Sequence, residues 1–356
     1  MPSGDKDLDL KLRMRRLFWR MNFYCPTEII VSAWEYPGRR RYDVTDIDVV
    51  GIRFDKDLRQ TVIIADCKGG EAGAGRLLWL RGAMDLMGAS SGYFVKTSVH
   101  ANTIALASKL SVGVLNEANL TKLETQIGVA KVPNEVGSMR VYIAQEKAWG
   151  AGIPKGRKPT TEQAELKKLY QYYDYYFWFI EPYRNVLSTT EKLSNVRAYL
   201  PGNEIDAKYT FYQIASLFAI SLLQGARDVM TKDLSQIASF GRQYLFGGVL
   251  ALRERERFFD LLAKYTGEDI ALEPKYFDKL LELFNTVVTH SAEAADVPRY
   301  LESCGIQLLD RGYLEMERFW DVDFDVGTLK IAKDVCLFLI DSAGLDKLLV
   351  GELLVE

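Results

Sequence analysis

Asp48, Asp66 and Lys68 are the residues whose types and spacing can do chemistry. They lie in two apolar, β-rich runs, Thr45-Asp46-Ile47-Asp48-Val49-Val50-Gly51 and Val62-Ile63-Ile64-Ala65-Asp66-Cys67-Lys68, where a core strand has no use for charge. Asp66 and Lys68 are two apart, so on a strand they point to one face. A short polar turn (Asp55-Lys56-Asp57-Leu58-Arg59-Gln60) joins the runs and folds Asp48 back beside them. A buried charge without a partner costs several kcal/mol or is neutralised, so such groups are paired or bind metal. Two carboxylates and a lysine converging on a sheet surface predict a hard-cation site with a proton handler beside it. The plainer alternative is a structural ion pair at a sheet edge.

The elements that must position these residues are legible on either side. Leu10, Met14, Leu17 and Met21 recur at i, i+4, i+7 and i+11, which predicts a helix over 10–24, its other face carrying Lys11, Arg13, Arg16 and Arg20. A strand is expected over 28–36, a turn at Pro37-Gly38, and the hairpin over 44–54 and 61–68. Glycines at 69, 70, 73 and 75 keep side-chain bulk from the end of that hairpin. A helix over 76–87, with Leu77, Leu80, Met84 and Met87 inward, leads to a strand at 92–95, a helix over 101–110 and a strand at 113–116.

The upstream aspartate, the Asp66-Cys67-Lys68 tripeptide on the next strand, and the following helix and strand resemble the PD-(D/E)xK nuclease superfamily, in its Mrr-like restriction-endonuclease branch. The resemblance covers residues 10–125 and implies an αβββαβ restriction-endonuclease-like core followed by an all-α C-terminal domain. It implies Asp48, Asp66 and Lys68 as catalytic residues. Mg²⁺ (or Mn²⁺) would be held by Asp48, Asp66 and the backbone carbonyl of Cys67, with Glu28 or Asp46 as rival further carboxylates. Relatives usually carry that acid in the first helix, and residues 10–25 contain none. The Gln-x-x-x-Tyr that Mrr-like relatives often place on the helix after the lysine is also missing. Arg76, close to the glycine loop, is the candidate there for a scissile-phosphate contact.

Other candidates carry plainer readings. Arg39-Arg40-Arg41 sits in a turn, where three guanidinia suit a phosphate through their planar forks and equally suit a solvated turn. The aromatic run from Tyr170 to Phe179 would cover every face of a helix, which favours packing over base stacking. His100 and His290 have no acid or cysteine at ligand spacing, and Arg81 with Asp85 reads as an i,i+4 surface pair. Cys25, Cys67, Cys304 and Cys336 form no metal spacing and no disulfide framework, which suits a reducing compartment.

The chain's 356 residues exceed what one core usually holds, and 48% hydrophobic residues with 12% aromatics suffice for buried cores. The formal charge of −3 excludes a general polycation, but residues 1–130 carry 18 Lys+Arg against 15 Asp+Glu, a hint that nucleic acid meets this part. The expected division is a nuclease-like domain over 1–130, a Gly/Pro-bearing linker over 131–159 and a mainly helical domain over 160–356. The charged N-terminus does not resemble a signal peptide, and the greasiest run, 211–223, is too short to span a bilayer, so a cytoplasmic protein is expected. The resemblance implies a Mg-dependent endodeoxyribonuclease acting on DNA, in restriction or phage defence, as a homo-oligomer or with a defence-system partner. The competing expectation is a catalytically silent nuclease-fold protein that binds nucleic acid or acts as a scaffold.

Overall fold

The computed structural model describes residues 3–35, 40–70, 73–129, 135–150, 160–232, 236–268, 271–315 and 324–354. The N-terminal part runs α1 (Ser3–Arg20), β1 (Thr27–Glu35), β2 (Arg40–Phe54), β3 (Gln60–Lys68), α2 (Gly75–Met87), β4 (Ser91–Lys96), α3 (Ala101–Lys109), β5 (Gly113–Asn116) and α4 (Glu117–Ile127). The five strands form one mixed sheet in sequence order. The pairs β1–β2 and β2–β3 are antiparallel; β3–β4 and β4–β5 are parallel, because α2 and α3 carry the chain back across the sheet. The central strand β3 is buried from Val62 to Cys67, which its near-continuous apolar run requires.

α1 begins at Ser3, about two turns before the apolar period starts at Leu10, so Asp5, Asp7 and Asp9 belong to it. Leu10, Met14 and Leu17 are buried as the period demands, and Met21 packs at the edge of the core. Gly69 lets the start of α1 reach the end of β3: a Cβ there would come within 2.6 Å of Lys6 Cβ and 2.7 Å of Asp7 Oδ1. Glycines 70, 73 and 75 face open space, so the close approach falls on Gly69.

The remainder is helical: α5 (Met139–Gly150), α6 (Thr161–Gln171), a π-helical turn at Tyr172–Tyr176, α7 (Phe177–Phe179), α8 (Pro182–Val196), α9 (Ile205–Met230), α10 (Ile237–Leu245), α11 (Val249–Thr266), α12 (Phe277–Thr289), α13 (Ser291–Ala294), α14 (Val297–Arg311), α15 (Val326–Ala343) and α16 (Gly351–Leu354). α9 is the hub, buried along most of its length against α8, α12 and α14. The aromatic run packs inward, with Tyr172, Tyr173, Tyr175 and Phe177 buried. Of the expected linker, residues 139–150 form α5, packed on α9 and α14. Residues 131–134 and 151–159 lie outside the described residues, as do Pro37, Gly38 and Arg39.

One hydrophobic cluster runs through both parts. Beneath it, the buried Arg15 of α1 donates to Glu302 of α14 at 2.9 Å, to Gln145 of α5 at 2.7 Å and to the Cys25 carbonyl at 3.1 Å. Glu302 also accepts from the Cys25 amide at 3.3 Å. Burial pushes the Glu302 carboxyl up, and Arg15 offsets only part of this. No helix among the described residues is long and apolar enough to cross a membrane.

Candidate functional site

Antiparallel register decides which charges meet. Thr27 pairs with Val49 and Ile29 with Ile47, so Glu28 lies opposite Asp48. Val49 pairs with Ala65, and the next step along the same register sets Asp48 opposite Asp66. Three carboxylates from three adjacent strands thus form a row near the start of β1 and the end of β3. Glu28 holds φ at +58°, a left-handed conformation rarely adopted by a non-glycine residue in a strand, and such positions cluster at functional sites.

Cations alternate with these carboxylates. Lys11 Nζ lies 3.0 Å from Glu28 Oε1 and 2.9 Å from Asp48 Oδ1. Lys68 Nζ lies 3.3 Å from Asp48 Oδ2 and 3.5 Å from Asp66 Oδ1. Arg76 closes the row with a two-pronged pair, Nε to Asp66 Oδ2 at 2.8 Å and Nη2 to Oδ1 at 2.7 Å, while its guanidinium stacks 3.8 Å from the Trp79 ring centroid. The Asp48 and Asp66 side chains are wholly buried, whereas Lys11 is 13% and Lys68 25% exposed, so the cations form the lid over the acids. Asp46, half exposed, is 3.8 Å from Lys11 and adds a fourth negative charge beside the row.

The row's two buried acids are held differently. Burial opposes ionisation of Asp48, but Lys11, then Lys68, and the Cys67 amide donating at 2.6 Å outweigh it and hold the carboxyl below its usual range. Burial dominates at Asp66 and lifts its carboxyl, with Arg76 compensating only in part. Burial alone would lower Lys11; Asp48 and then Glu28 overcome it, so this ammonium stays protonated well above its ordinary range.

Asp48 Oδ1 is buried, and the Lys11 ammonium 2.9 Å away is its partner. A hard cation would bind at this carboxylate by taking the place of the Lys11 ammonium. Among the described residues no three His, Cys, Asp or Glu side chains converge closely enough to cage an ion alone.

The structure thus brings Asp48, Asp66, Lys68, Glu28 and Asp46 together, with Cys67 between the two β3 residues. Arg76 is here too, but it is engaged with Asp66. Arg40 and Arg41 open β2, some eight residues and about 25 Å along the strand from Asp48. Sequence reasoning missed two participants. The sequence places Lys11 only on a basic helix face, although its position directly after Leu10, flanking the apolar stripe, brings it to the sheet edge. Asp7, in the first turns of α1, accepts a hydrogen bond from the Gly69 amide, directly after Lys68. The acid-rich start Asp5-Lys6-Asp7-Leu8-Asp9 was the available signal.

The cavities of about 280 to 450 Å³ lie elsewhere. One of about 450 Å³ and another of about 280 Å³ sit at the seam between the β2–β3 hairpin and the helical part, both touching Gln60 and Gln224, and neither is lined by Asp48, Asp66 or Lys68. Beside Glu28, a void of about 30 Å³ among Tyr142, Glu146 and Asp174 has room for about one water. Comparison of the chain with protein-family models, curated proteins and solved structures finds no match.

Proposed function

We propose that this chain is a metal-dependent nuclease of the PD-(D/E)xK type, hydrolysing DNA phosphodiester bonds. The observation that carries the reading is the row Glu28, Asp48, Asp66 across three adjacent strands, with Lys68 two residues beyond Asp66 on the same face. The element order α1-β1-β2-β3-α2-β4 agrees with the αβββαβ core of that superfamily. Asp7 stands in the first helix, where relatives usually carry their additional acid.

The donor set fits a hard divalent cation: Asp48, whose Oδ1 would exchange Lys11 for the ion, Asp66, and the Cys67 carbonyl, which in a regular strand shares the side of the amide that meets Asp48. Bound there, Mg²⁺ or Mn²⁺ supplies charge neutralisation at the scissile phosphate and an acidified water. Lys68, at the rim of the row, orients the attacking water. Lys11 neutralises Glu28 and Asp48 before substrate arrives and keeps Asp48 ionised. Arg76 is the residue that must let go: its fork matches a phosphate as well as a carboxylate, so transfer from Asp66 to the substrate frees both Asp66 oxygens at the moment of binding.

The same Arg76 fork supports a second reading, a nuclease-fold module that binds nucleic acid or a partner without cutting, in which the alternating charges are a permanent structural network. A cleavage assay on plasmid, linear duplex, single-stranded DNA and RNA, with and without Mg²⁺ or Mn²⁺, separates the two. Metal-dependent cutting of DNA by the wild type, lost in Asp66→Ala, is expected. No metal heat in calorimetry and no cutting, with Arg76→Ala only destabilised, selects the silent module.

A further inference from the structure

Helix α11 spans 18 residues, yet Leu252 alone is buried. It packs extensively against no other element among the described residues. Its exposed apolar side chains are large: Leu250 is 76% and Tyr265 88% exposed, and Phe258 and Leu261 are more than half exposed. At about 100° per residue, Leu250, Glu254, Arg257, Phe258, Leu261 and Tyr265 fall within an arc of about 100°, one stripe down the helix. An isolated helix of this length is marginal in water, and a contiguous apolar stripe marks an interaction surface.

The charges inside the stripe identify its occupant. Arg242 pairs with Glu256 at 2.8 Å and the Arg255 guanidinium lies 5.8 Å from the Phe246 ring centroid, so these two α11 side chains face the body of the protein. Glu254 and Arg257, in the stripe, make no ion pair or hydrogen bond among the described residues. A membrane surface would have to bury Glu254 in the middle of the apolar face, which opposes insertion. A second copy of the helix meets no such penalty. In an antiparallel arrangement with its two-fold axis between Arg255 and Glu256, Leu250 falls on Leu261 of the partner subunit and Glu254 on the partner's Arg257. Both contacts occur twice, as an isologous interface requires. Parallel, in-register pairing would set Glu254 on Glu254 and Arg257 on Arg257, so the pattern also selects orientation.

We infer that α11 is a homodimerisation helix that pairs antiparallel with its copy through this stripe. The inference is independent of the nuclease reading. A pair of helices about 27 Å long makes an interface at the small end of the range for stable complexes, so the dimer forms at micromolar concentration. Sedimentation equilibrium of the full chain from about 1 µM to about 100 µM should show the mass rising from 40.4 kDa toward twice that value. Leu250→Glu with Leu261→Glu should hold the protein monomeric with an unchanged circular dichroism spectrum, because both side chains are solvent-facing. Glu254→Arg and Arg257→Glu should each weaken association about tenfold, and the two together should restore it to within about threefold of the wild type. A monomer at every concentration, or a dimer unmoved by either single charge reversal, overturns the inference.

Discussion

Asp48→Asn keeps the side-chain shape and the oxygen that accepts the Cys67 amide at 2.6 Å, but removes the charge between Lys11 at 2.9 Å and Lys68 at 3.3 Å. Breaking a fully buried ion pair from one side costs about 3–5 kcal/mol. Here each stranded cation keeps another carboxylate, Glu28 at 3.0 Å for Lys11 and Asp66 at 3.5 Å for Lys68. Neither lysine is fully buried, so the stability loss should be about 1–2 kcal/mol, small enough to leave the protein folded. Catalysis should suffer far more. Losing one charged ligand of the ion that stabilises the transition state is worth about 4 kcal/mol, so single-turnover cleavage should fall about 10³-fold. Urea unfolding and a saturating-Mg²⁺ cleavage assay read the two effects separately. A variant that cuts within about tenfold of the wild type would refute the assignment of Asp48 as a metal ligand.

Lys68→Ala should abolish cleavage while calorimetric Mg²⁺ binding persists, because it removes the water-orienting group and no ligand; loss of metal heat would move Lys68 into a structural role. Burial raises the Asp66 carboxyl, so its contribution to stability is full below its unfolded value of about 3.9 and is lost as pH rises through the folded value. Comparing urea midpoints of the wild type and Asp66→Asn at about pH 4 and about pH 7 should therefore show the variant gaining on the wild type at the higher pH, and a constant difference would contradict this. Asp48, held low, carries the opposite sign, its contribution disappearing as pH falls through its folded value. Arg15→Met leaves Glu302 buried without its guanidinium and should cost about 3–5 kcal/mol. Because Arg15 joins α1 to α14 and α5, probes in the sheet and in the helical part should lose stability together, and separate transitions would show that this contact does not couple them.

The β2–β3 hairpin, the αβββαβ order and the convergence of Asp48, Asp66 and Lys68 were legible in the chain itself. Each depends on local period: alternation puts Asp66 and Lys68 on one face, and a short turn between two apolar runs leaves few possible registers. A helical second part was legible for the same reason, since apolar spacing is a property of the window that contains it. Tertiary structure decided which charges touch. Lys11 lies 37 residues before Asp48, and only the packing of α1 over the sheet, admitted by Gly69, places its ammonium between Glu28 and Asp48. The Arg76 fork on Asp66 depends on how the loop after β3 folds back, and the Arg15–Glu302 pair joins positions 287 residues apart. Such contacts leave no period in the sequence, because electrostatic partners are chosen by distance in space and the chain between them can be any length. The exposed stripe of α11 combines both: its amphipathic spacing is written locally, but only the lack of an extensive packing neighbour among the described residues shows that it faces outward.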